Sequence, residues 1–247
     1  MQLYTTPLRK DDNMKKNITI FTLICIILVG SIPVYASNVH IDEDTALRTQ
    51  ADALIAQVDV EALFTDALAG VVDYSVPLSI RENISASAEF TPVKGVSKNE
   101  IEFEVSSTVK KVGEVTQKNG QTANMYVAVA TATQVKDDMA YTSQHGIKAW
   151  AYISWIDVFG VNNELYSASG HWDTQDKVVR NRELRYGTSD ILGLTWSKGP
   201  TVKYPTGDWA RYEDPASYVG FTLRCQTKIE VVNIGTVTCN VTSGLLT

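Results

Sequence analysis

The amino-acid sequence predicts a mainly β fold: an antiparallel β-sandwich of roughly nine strands preceded by an N-terminal helical segment, with a β-barrel as the alternative way to close the same strands. Two observations carry this. After Gly70, apolar and polar residues alternate with a period of two almost to the C-terminus, and turn residues punctuate the pattern every 10 to 20 residues or so with no helical stretch between. Before Gly70, apolar residues recur at helical spacing instead. The composition suits an ordinary folded domain: of 247 residues, 44% are apolar and 20% charged, with 15 Gly and 7 Pro, which excludes collagen, low-complexity and coiled-coil chains.

The first element is an address label. Met14-Lys15-Lys16 is a basic start, residues 18–32 are an apolar run, and Val34-Tyr35-Ala36 is a small-residue peptidase site, the three parts of a secretory signal peptide. Cleavage is expected after Ala36, making residues 1–36 a leader and the mature chain a secreted, extracellular protein. The alternative is a membrane anchor left uncleaved, because residues 18–36 are just long enough to span a bilayer. The Met-Lys-Lys start and isoleucine-rich core resemble the signal segments of low-GC Gram-positive bacteria; the resemblance covers targeting alone.

Removing the leader takes away four basic groups (Arg9, Lys10, Lys15, Lys16) and two acidic ones (Asp11, Asp12), so 18 basic and 26 acidic groups remain and the formal charge moves from −6 to −8. That sign repels phosphate backbones and anionic membrane surfaces. Nucleic acid is therefore not an expected partner, nor is stable membrane insertion after cleavage.

Residues 42–70 form the helical segment. Leu47, Ala51, Leu54, Ile55 and Val58 make one apolar stripe and Leu63, Phe64, Ala67 and Leu68 a second, rotated one. This reads as one helix interrupted near Asp59 or as two short ones, with Asp42 to Asp44 compensating the dipole at the start and Gly70 as the stop. It is either packed on the following domain or a separate pro-segment.

Residues 71–247 form the β domain. Strands are expected at 72–82, 85–93, 100–112, 123–136, 148–159, 165–172, 178–186, 220–232 and 236–242. Lys118-Asn119-Gly120 signals a hairpin turn between the third and fourth, and the stretch 160–163 another between the fifth and sixth. The third and fourth strands form a hairpin rich in Ser, Thr and Val whose alternation resembles what pore-forming proteins insert into bilayers, so a toxin-like β protein is a third functional class.

Aromatic residues are concentrated late. All five Trp fall between 150 and 209, and the stretch 196–218 holds three Pro, two Gly and six charges together with Trp196, Tyr204, Trp209, Tyr212 and Tyr218. Such a stretch reads as a long loop, not a regular strand, and its aromatic area must either pack back on the sandwich or meet a ligand. Trp196, Tyr204, Trp209 and Tyr212 are accordingly the candidate ligand-binding residues, with a carbohydrate or a protein at the cell surface as the partner. The leading functional expectation is a non-enzymatic binding or surface-interaction protein.

The competing expectation is a secreted hydrolase or lyase. No serine-hydrolase, zinc-protease, nucleotide-loop or calcium-loop motif is present, and neither a metal nor a cofactor is expected. One stretch stands out, Gly170-His171-Trp172-Asp173, where His171 and Asp173 share one side of a strand and form the candidate acid-base pair. Two-carboxylate hydrolysis drawing on Asp157, Glu164, Asp173 or Asp176 is a residual alternative.

With Cys25 in the leader, Cys225 and Cys239 are the two cysteines of the mature chain. They lie on the two arms of a hairpin turning near Asn233 to Gly235, and export permits a disulfide between them. Closing that loop of about 15 residues is expected to stabilise the fold by roughly 3 kcal/mol.

Overall fold

In a computed structural model the chain is described at residues 45–96, 101–117, 119–137, 146–158, 162–175, 177–190, 195–213 and 218–244. The expected leader 1–36, the acids at 42–44, Lys118 and Asp176 lie outside the described residues. Among those described, no helix is long and apolar enough to cross a membrane.

The helical segment is two helices, α1 (Thr45–Ile55) and α2 (Val60–Leu68). The interruption at Asp59 is an N-cap: its Oδ1 accepts from the Ala62 backbone N–H at 2.9 Å, which satisfies one of the four donors a helix start leaves open. Gly70, at φ +65°, ends α2. There the Gly70 and Val71 N–H groups return to the Ala67 and Asp66 carbonyls, a reversal that a residue without Cβ makes at little cost.

The strand expected at 72–82 is not formed. Asp73 accepts hydrogen bonds from both the Ser75 N–H (2.8 Å) and hydroxyl (2.7 Å), closing a local turn, and Pro77 then starts the short helix α3 (Leu78–Arg81). Local side-chain capture of the backbone outcompetes the alternating pattern here.

The remaining chain is a sandwich of two antiparallel sheets, as expected. Its strands are β1 (Ile84–Pro92), β2 (Ile101–Thr116), β3 (Thr122–Asp137), β4 (Lys148–Val158), β5 (Asn162–Asp173), β6 (Val179–Thr188), β7 (Thr201–Lys203), β8 (Trp209–Tyr212), β9 (Val219–Gly220), β10 (Leu223–Val231) and β11 (Gly235–Ser243). One sheet has the order β1-β11-β10-β6-β7; the other runs β2-β3-β4-β5-β8, with β9 also pairing β5. The aromatic stretch is thus not wholly loop: β7 and β8 pair its pieces onto β6 and β5, because short segments between its prolines still offer their backbone groups to a sheet edge, and β9 pairs onto β5 just after it.

Two cores result. Trp155, Trp172, Tyr126, Tyr186, Leu184 and Leu223 belong to the one between the sheets. The second lies on the outer face of the six-stranded sheet, where Met125, Val127 and Val129 of β3 and Trp150 and Tyr152 of β4 meet Leu47, Ala51, Leu63, Phe64 and Ala67 of the helices. The Gln50 side-chain Oε1 accepts from the Thr116 N–H at 2.9 Å, Asp66 pairs with Lys110, and the Leu54 side chain lies 2.5 Å from where a Cβ on Gly113 would stand, beside a bulge in β2. Both faces of β3 are covered over residues 125–132, so the β2–β3 hairpin presents no free apolar face along that part of the strand.

The expected disulfide is absent. Cys225 and Cys239 are free and fully buried. The turn falls where expected, with Asn233 at φ +63°, but the register it sets puts Val241 opposite Cys225 and Thr227 opposite Cys239. The two thiols are diagonal neighbours, a spacing of roughly 7–8 Å in an antiparallel pair, beyond the reach of a disulfide. Each thiol donates instead to a carbonyl of the facing sheet, Cys225 to Ser169 (3.7 Å) and Cys239 to Ala130 (3.5 Å). Burial pushes both thiols up, Cys239 to about 12, so neither is a reactive thiolate.

Candidate functional site

The strand register gathers an aromatic cluster where the helix cover ends. Trp150 on β4 lies opposite His171 on β5, and His171 opposite Trp209 on β8. All three project from the outer face, because alternation sends Ala149, Ala151, Trp172 and Ala210 inward. Their rings touch: His171 stacks on Trp150 at 4.6 Å between centroids and meets Trp209 edge-on at 5.3 Å. Phe64 comes down from α2 to stack on Trp150 at 5.2 Å and lies 6.2 Å from Trp209. Trp209 is nevertheless 43% exposed, its outer side turned to solvent.

Acids ring this cluster. Burial lowers the His171 pKa, opposed by the nearby charges of Glu61, Asp173 and Asp208, so the imidazole is neutral at neutral pH. Its Nδ1 is buried without a hydrogen-bond partner, as is the Trp150 Nε1. His171 and Asp173 share a strand face, as the sequence indicated, yet they are not bonded to each other: Asp173 Oδ1 accepts from the Gln175 N–H at 3.0 Å and closes a turn. Asp208 is held by Arg182.

The four aromatic candidates do not share one surface. Tyr212 faces the opposite way from Trp209, into the space between the sheets, where it stacks on Tyr186 at 6.4 Å with Lys203 over its ring. Trp196 sits against the guanidinium of Arg224, 4.9 Å away, on the outer face of the other sheet. Tyr204, 63% exposed, lies just beyond β7.

Further along the same face the sheet carries polar groups that motif reasoning missed. The Ser154 and Ser167 hydroxyls meet at 2.6 Å, and the Tyr166 hydroxyl donates to Asp52 of α1. Glu164 is buried with one carboxyl oxygen unpartnered; desolvation raises its pKa to about 8 against the opposing pull of Arg48. Burial likewise pushes the Tyr152 phenol up to about 12. The one signal in the sequence was the mixture of aromatic and polar residues on β4 and β5. Among the described residues no group of three His, Cys, Asp or Glu side chains is placed to hold a metal ion. No family model, no curated protein and no solved structure matches this chain.

Proposed function

We propose that the chain is an exported, non-catalytic binding protein that holds a carbohydrate polymer at the cell surface through the Trp209 edge of the six-stranded sheet. The observation that supports this best is Trp209 itself. Its ring is pinned by His171 and Phe64 yet remains 43% exposed, on a strand rather than a mobile tip. Sugar rings lay their C–H faces on such surfaces and direct hydroxyls to acceptors at the rim, a role open to Asp173, Asp208 and Glu61. A protein hot spot is ordinarily an aromatic or Arg anchor in a well-packed, desolvated pocket, which this acidic, solvent-facing edge resembles less.

The hydrolase or lyase reading draws less support. The Asp173 carboxylate is engaged by its own turn, and the His171 ring is enclosed by Trp150, Trp209 and Phe64, which suits a platform better than a proton shuttle. The pore-forming reading would first require the helices to leave β3.

The test is co-sedimentation with insoluble peptidoglycan, chitin and cellulose. The protein is expected to pellet with at least one of them, and Trp209→Ala to weaken that binding by about tenfold, near 1.4 kcal/mol, with an unchanged circular dichroism spectrum. Equal retention of Trp209→Ala, or no retention on any of the polymers, overturns the proposal.

A further inference from the structure

We propose that the cleft between the two sheets, at the end of the sandwich roofed by α3, is a second binding site that takes a single neutral sugar ring. One wall is the start of β1 and the end of β11, where the Gly244 N–H donates to the Asn83 carbonyl at 3.0 Å; the other is formed by the facing ends of β3, β4 and β5. The cleft has a volume of about 150 Å³. That is enough for a six-membered ring and well below the roughly 300–1,000 Å³ of sites for larger ligands.

Its chemistry selects the ligand class. Among the described residues the lining holds no Lys, Arg or His, so a phosphate or carboxylate would find no counter-charge there. It does hold planar hydrogen-bonding groups side by side. Asn124 and Asp157 are directly opposite each other across the β3–β4 ladder, an amide next to a carboxylate, the pairing that takes two neighbouring hydroxyls at once. Asn163, 7% exposed, is fixed by donating its amide to the Phe221 carbonyl at 3.1 Å, which leaves its own side-chain oxygen to accept.

Two further features point to an occupant. The Ser243 hydroxyl lines the cleft, is 2% exposed and has no hydrogen-bond partner, an arrangement that a ligand hydroxyl would complete. Beside it Tyr126 and Trp155, opposite one another in the same ladder with centroids 5.6 Å apart, give the cleft an apolar side. A polyhydroxylated ring has a hydroxyl rim and a C–H face, and this cleft has a counterpart for each. The site opens between the sheets rather than on the outer face that carries Trp209, so it stands independently of the polymer-binding proposal.

The experiment is saturation-transfer NMR on the folded protein with glucose, galactose, mannose and N-acetylglucosamine, and with glucuronate and inorganic phosphate as charged probes. At least one neutral sugar is expected to give a saturable signal, with affinity lowered about tenfold in Asp157→Asn and in Asn124→Ala. Ser243→Ala removes only a hydroxyl and is expected to weaken binding severalfold with no loss of thermal stability; it decides the matter if either of the other variants fails to fold. Absence of any saturable neutral sugar, preference for glucuronate or phosphate, or undiminished binding in the folded variants overturns the inference. So does loss of the signal in Trp209→Ala, which would place the ligand on the outer edge instead.

Discussion

The outer faces of the two sheets follow opposite rules. On the five-stranded sheet, β10 alternates strictly: Cys225, Thr227, Ile229 and Val231 point inward and Arg224, Gln226, Lys228 and Glu230 point outward. The outer row is tied together by polar contacts, with Arg224 and Gln226 both donating to Asn240 and Arg180 pairing with Glu230. On the six-stranded sheet, β4 is buried on both faces throughout residues 149–156. A face that meets water needs only partners on its neighbouring strands, whereas a covered face must satisfy every polar tip inside the cover. The Trp150, Ser169 and His171 side-chain atoms and one Glu164 oxygen that lack partners lie on the covered side, on the strands nearest its margin. Binding chemistry is proposed where that cover runs out.

Removing a piece of the cover should show the contrast most strongly. Phe64→Ala deletes a ring that is 4% exposed and touches Trp150, His171 and Trp209, and is expected to cost about 3–5 kcal/mol in urea unfolding. A loss below about 1 kcal/mol would mean that the helices contribute little and that the two outer faces are energetically alike.

A smaller effect should come from Glu164. The folded carboxyl keeps its proton up to about pH 8, whereas the unfolded chain releases it near 4.5, so the folded state binds more protons in that interval. Stability is therefore fully present below about pH 4.5 and falls as the pH rises towards 8. The full shift corresponds to roughly 5 kcal/mol, and relaxation around the charge should leave about 3. Glu164→Gln is expected to flatten the dependence of unfolding free energy on pH between 5 and 8; an equally steep profile in the variant would assign the effect elsewhere.

The smallest effect belongs to the wet face. Lys228→Ala, in the outward row of β10, is expected to change stability by less than about 0.5 kcal/mol in the same assay. A larger loss would show that this face, too, is cooperative.

The fold was legible where one physical cause dominated. Strict alternation on β10 and β11 identified the hairpin and its turn near Asn233, and the rotated apolar stripes placed a helix interruption near Asp59, although they left one helix or two open and did not show that Asp59 is a cap. It failed at Asp73 to Pro77, where a side chain closing a local turn overrides alternation, and at β7 to β9, where pairing partners come from distant strands. The site was only partly legible. His171 and Trp209 were singled out separately, but their contact depends on the register of β5 with β8, and Phe64 arrives from a helix more than a hundred residues earlier in the chain. Tyr212 shares the aromatic stretch with Trp209 yet faces the other way, since three residues along a strand is an odd number of steps.

On the proposal that the chain is exported, the diagonal placement of Cys225 and Cys239 makes time a factor in folding. In the unfolded chain these cysteines lie close in sequence and readily find each other; in the native register they do not. A bridge closed early would oppose the pairing of β10 with β11, two adjacent interior strands of their sheet. In an oxidising compartment, oxidant and folding would compete for the same two sulfurs, and the native molecule with both thiols sealed away is what forms when β-sheet assembly finishes first.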